Sequence, residues 1–131
     1  MFFVNGWFLQ EGARINLNPV NGFPEIYDGS ERLWMFHGVF NFKDNDFEGA
    51  IHDHCGHATA TNGHFDGRKM VFTKQYLHRK DKIQYEFTRF GETDVFVGTY
   101  KGNHVGKGEC RLVLSNAPEG LFDENLFRIG S

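Results

Sequence analysis

Met70-Val71-Phe72-Thr73-Lys74-Gln75-Tyr76, followed after a polar break by Ile83-Gln84-Tyr85-Glu86-Phe87, decides how this chain folds. Large apolar side chains recur at a spacing of two: Met70, Phe72 and Tyr76 in the first run, Ile83, Tyr85 and Phe87 in the second. That period places them on one face of an extended strand, so one face is buried and the other is wet. The rhythm extends both ways. Phe36, Phe40 and Phe42 keep one parity upstream, as do Phe47, Gly49 and Ile51 after the next turn. Downstream come Phe96, Gly98 and Tyr100, then Cys110, Leu112 and Leu114. Turn signals as short as Asp66-Gly67 separate the runs, and gaps of that length join antiparallel neighbours as hairpins.

Strands are therefore predicted near 33–42, 46–54, 57–66, 69–78, 82–90, 94–101 and 107–114. A first strand over Phe2–Gln10, with a return partner over Ala13–Leu17, brings the number to about eight or nine. No segment has sustained helical periodicity. A long antiparallel sheet without helices to cover it must close on itself or fold into two layers. The expectation is an all-β domain whose up-and-down antiparallel sheet closes into a barrel.

The 131 residues are expected to form one domain, 1–131, large enough for a core without covalent staples. Fifteen Phe beside 16 Gly is an unusual pairing: the first supplies buried area, the second turns and close backbone approach. Pro19, Pro24 and Pro118 all lie outside the regular run. Asn18 to Arg32 is rich in turn dipeptides and reads as a surface loop, with a lid or rim as the other reading. The tail, 118–131, carries Leu121, Phe122, Leu126, Phe127 and Ile129, which predicts that it is docked.

A formal net charge of −3 disfavours general binding to nucleic acid or to an anionic membrane, since both need basic surface. No apolar run approaches the ~20 residues that span a bilayer. Phe-Phe-Val after Met1 lacks the basic start of a secretory signal, so a cytoplasmic location is expected. There Cys55 and Cys110 are free thiols, although one bridge between them is the alternative.

The run Phe47-Glu48-Gly49-Ala50-Ile51-His52-Asp53, with Gly56-His57-Ala58, Gly63-His64-Phe65 and the strand Phe72-Thr73-Lys74-Gln75-Tyr76, resembles small uncharacterised avidin-like or calycin-like barrel proteins. Gly6-Trp7-Phe8 and Gly98-Thr99-Tyr100 are similar to the glycine–aromatic pairs of those barrels. The resemblance implies a closed avidin- or lipocalin-like barrel and brings no activity with it. Avidins recognise biotin with several tryptophans. Only Trp7 and Trp34 occur here, so biotin is not expected.

Asp53, Lys74 and Arg89 share parity with Ile51, Phe72 and Phe87 on their own strands. If that parity faces inward, charges sit in an aromatic interior and must pair or meet a ligand. Phe36, Phe40, Asp53, Phe72, Lys74, Tyr76, Tyr85, Phe87, Arg89 and Tyr100 then form the candidate ligand site. If the charges lie at strand ends, they reach out to water instead. Register, which parity alone leaves open, decides between the two.

His52-Asp53-His54-Cys55-Gly56-His57 is the other notable run. His52 and His54 would share a strand face, and Cys55 or His57 could complete a tetrahedral site. Exposed histidines at a turn are cheap, however, so neither a metal nor another cofactor is expected, and these four residues stay weak candidates. Catalysis has no visible constellation: Ser30, Ser115 and Ser131 lie outside any G-x-S-x-G elbow. The leading expectation is a non-enzymatic barrel that binds a small, largely apolar ligand. The alternative is a structural or oligomeric module with a side-chain-filled barrel, and an enzyme or a metal-binding protein using 52–57 comes third. Because Phe2, Val4 and Phe8 oppose Phe3, Trp7 and Leu9, the first strand is apolar on both faces; the tail is its nearest expected cover and another subunit the second, with a homodimer as the expected form of that association.

Overall fold

The computed structural model describes residues 1–9, 33–102 and 106–116. Eight strands account for almost all of them: β1 (Phe2–Leu9), β2 (Leu33–Lys43), β3 (Asp46–Asp53), β4 (Gly56–Phe65), β5 (Lys69–Tyr76), β6 (Lys82–Arg89), β7 (Val95–Gly102) and β8 (Gly106–Asn116). Each pairs antiparallel with the next, and β8 pairs back onto β1, so the sheet closes into an up-and-down barrel. Among the described residues there is no helix. The expected return strand 13–17, the loop 18–32 and the docked tail 118–131 lie outside the described residues. Both edges of β1 are occupied, by β2 through Val4↔Gly38 and by β8 through Val4↔Leu114.

The inward parity is the apolar one. Val4, Phe36, Phe40, Phe47, Ile51, Met70, Phe72, Ile83, Tyr85, Phe87, Phe96, Tyr100, Leu112 and Leu114 belong to one buried cluster. On β4 the parity changes midway: Ala58 and Ala60 are buried, then Gly63. A register shift between Thr61 and His64, with Asn62 at φ 54°, inserts the extra residue that re-aims the strand.

The barrel pairs its glycines with its rings. Gly6 faces Phe36 across the strands, Gly49 faces Phe40, Gly63 faces Phe47, Gly98 faces Phe87 and Gly108 faces Tyr100. At each of these a Cβ would run into the partner ring as well as a backbone carbonyl. The missing Cβ lets the ring lie across the neighbouring strand, which is why Phe and Gly are abundant together.

Rings from opposite walls also meet. Phe40 on β2 lies 5.2 Å from Phe72 on β5, and Phe65 on β4 lies 5.3 Å from Phe96 on β7. Phe72 in turn stacks on Tyr85 at 4.9 Å. At mid-height the interior is therefore packed by side chains, each ring pair adding about 0.5–1.5 kcal/mol beyond its buried area.

Candidate functional site

One end of the barrel departs from this apolar filling. β3 ends there at Asp53, β5 ends at Tyr76, and both side chains point inward at the same level as Lys74. Lys74 Nζ donates to Asp53 Oδ2. Tyr76 OH donates to the same oxygen at 2.6 Å, and the Cys55 amide donates to Oδ1 at 2.8 Å. The last bond forms because the chain turns at His54-Cys55, which brings its own amide back over the carboxylate. Lys74 is 1 % exposed, a rare position for a lysine. Its ammonium lies 4.7 Å from the centre of the Tyr76 ring, 5.2 Å from Phe8 and 5.9 Å from Tyr85. Ring faces thus meet the part of the cation that the carboxylate does not.

Burial alone would raise the Asp53 carboxyl. The adjacent Lys74 charge and the bonds from Lys74, Tyr76 and the Cys55 amide outweigh it, and hold the group below the usual carboxylate range. Burial pulls the Lys74 ammonium down from the ordinary lysine value, and Asp53 opposes that pull. The Tyr76 phenol is pushed far up by burial and by its bond to Asp53. Ion pair and neutral phenol make a tight polar unit in an apolar shell.

Around this unit the barrel mouth is aromatic. Trp34, at the start of β2, stacks on the His54 ring at 3.9 Å and 15°. Phe8 lies 6.0 Å from His54 and 5.6 Å from Tyr100, whose hydroxyl donates to the Leu9 carbonyl. Phe36 sits 6.5 Å from Tyr85. Partial burial lowers the pKa of His54, with Asp53 opposing and Lys74 and Arg79 reinforcing the shift.

Of the residues read from the sequence, Asp53, Lys74, Tyr76, Tyr85, Tyr100 and Phe36 are brought together at this end. Phe40, Phe72 and Phe87 lie deeper, in the ring packing of the interior. Arg89 is at the opposite end, where its Nε donates to the Thr93 carbonyl at 2.7 Å and the guanidinium faces Asp94. Phe8 and Trp34 also belong to this end, beyond the candidates that the sequence pattern supplies. Both parities of β1 are apolar and hide Phe8, whereas Trp34 does share the parity of Phe36 and Phe40, a usable signal.

The histidine run is divided. β3 stops at Asp53, so His52 and His54 do not share a strand face: His54 turns over the mouth while His52 faces outward toward His57. Asp53, His54 and Cys55 present ligand atoms within 4.8 Å of one another, and His54 Nε2 lies 3.1 Å from Cys55 Sγ. The Lys74 ammonium already occupies the place by Asp53 Oδ2 that a cation would take, so this cluster is a poor metal site. Cys110 is buried and Cys55 half-buried, both as free thiols. Among the described residues no helix is long and apolar enough to cross a membrane.

Comparison with protein-family models, with curated proteins and with solved structures finds no match for this chain.

Proposed function

We propose that the barrel is a non-enzymatic binding protein for a small, largely apolar molecule with one anionic or hydrogen-bond-accepting group. The observation that carries this reading is the Lys74–Asp53 pair, placed among Phe8, Tyr76 and Tyr85 at the aromatic end of the barrel. A buried ion pair rarely stabilises a fold better than apolar residues of the same volume, so its presence calls for a role besides packing. Among the described residues the ammonium has one carboxylate partner and ring faces on its other sides, an arrangement that suits an incoming carboxylate or carbonyl. Half-buried Phe8 and Trp34 are the aromatic side chains such a ligand displaces to reach it. The ring packing at mid-height limits the ligand to the end of the barrel.

That same packing favours a second reading, a module with a filled barrel that works through its surface. Native mass spectrometry of freshly purified protein separates the two. A retained small-molecule adduct, reduced in Lys74→Met, supports the binder. A clean monomer mass or a stable oligomer without adduct supports the module.

A further inference from the structure

Outside the barrel three imidazoles stand in one row across three neighbouring strands. His37 on β2 is the register partner of His52 on β3, and His52 is the partner of His57 on β4. All three point away from the core; His37 and His57 are exposed and His52 is half-buried. His52 Nδ1 lies 3.2 Å from His57 Nδ1, with ring centres 4.4 Å apart, and the His37 ring centre is 5.3 Å from that of His52.

This row differs from the sequence run 52–57, because His37 comes from another hairpin and His54 takes no part. Its geometry resembles half of a coordination shell. Two nitrogens each about 2.05 Å from one zinc ion, at a tetrahedral angle, are roughly 3.3 Å apart. The Nδ1–Nδ1 separation matches that edge. Adjacent strands hold their side chains about 4.5–5.5 Å apart at Cβ, so a third imidazole on the next strand reaches the same ion by a side-chain rotation at the surface.

We propose that His37, His52 and His57 form a surface site for a divalent transition-metal cation of the zinc class. Imidazole nitrogens of His52 and His57 supply the first two ligands, His37 the third, and water the fourth. Neutral imidazole suits zinc, nickel and copper, whereas magnesium and calcium prefer oxygen. Lone-pair donation requires unprotonated rings, so binding weakens as the pH falls.

The test is calorimetric titration of zinc chloride into the chelator-stripped full chain, with folding of each variant checked by circular dichroism. Surface His→Ala changes spare the core, so loss of binding is not loss of fold. One saturable equivalent is expected, abolished in His52→Ala and His57→Ala and weakened by at least about tenfold in His37→Ala. His54→Ala, Cys55→Ser and His64→Ala should bind as the parent does, since His64 is engaged by Asp46 at 2.9 Å. Absence of saturable binding, retention of full affinity in any of the three row variants, or loss in His54→Ala, Cys55→Ser or His64→Ala would overturn the assignment.

Discussion

Lys74 and Asp53, 21 positions apart in sequence, form an ion pair inside the barrel with neither side chain more than 1 % exposed. Cross-strand register makes this contact: β4 lies between the two residues' strands, with Asp53 paired to Gly56 and Lys74 to Ala60. The small side chains of Ala58 and Ala60 leave room for lysine and carboxylate to meet above them.

Breaking the pair strands a buried charge. Asp53→Asn and Lys74→Ala should each destabilise by about 3–5 kcal/mol, while Asp53→Asn combined with Lys74→Met should be near neutral. Urea unfolding of the three variants gives the values. Additive losses in the double variant would mean that the two groups act independently.

The pH dependence follows from the same groups. The Asp53 carboxyl is held below its unfolded value of 3.8, so its contribution is complete above that pH and disappears as pH falls through the lowered value. Tyr76 and Tyr85 have the opposite sign, because their phenols stay protonated in the fold while the unfolded chain ionises near 10.0. Stability should therefore decline above about pH 10. Lys74, lowered from 10.5, works against that decline just below this value. Tyr76→Phe removes one phenol and one donor to Asp53, so both the acid and the alkaline slopes should flatten in urea melts across pH. Unchanged slopes would assign the titration to other groups.

Gly98→Ala tests the pairing of glycine with aromatic rings. The new methyl group would meet the Glu86 carbonyl and the Phe87 ring, and neither can yield without opening the β6–β7 ladder. We expect a loss of about 1–3 kcal/mol, the usual range for overpacking. Gly67→Ala has open space around it but a φ of 99°, so its loss is backbone strain and should be insensitive to Phe87→Leu. A double-mutant cycle between positions 98 and 87 showing no coupling would assign the loss to the Glu86 carbonyl and not to the Phe87 ring.

Phe72 touches Phe40, Phe47, Tyr85 and Phe87. Its replacement by Ala should lower stability by about 3–5 kcal/mol. Thermal melts that show less than about 1 kcal/mol would indicate an interior far looser than the ring contacts describe.

Much of this was legible in the sequence because strand alternation is read directly from parity. Phe72, Tyr85 and Tyr100 face inward as their spacing requires, and Asp53 and Lys74 follow the inward parity of Ile51 and Phe72. Arg89 has the right parity too, yet lies at the far end, since parity fixes a face and says nothing of height along the barrel. The row of His37, His52 and His57 needed register between three strands, which local patterns do not contain. The bulge at Asn62 was equally hidden, because one inserted residue leaves hydrophobic spacing almost unchanged until the parity resumes.

The proposed role of the buried Lys74–Asp53 pair in ligand binding at the barrel end is open to fluorescence titration with 8-anilinonaphthalene-1-sulfonate. The probe joins aromatic rings to one anionic group, the chemistry expected to meet Phe8, Trp34 and Lys74. We expect saturable binding of one probe per native chain, weakened by at least about tenfold in the Asp53→Asn/Lys74→Met double variant at matched thermal stability. Absence of saturable binding by the native protein, or unchanged affinity in the folded double variant, would contradict it.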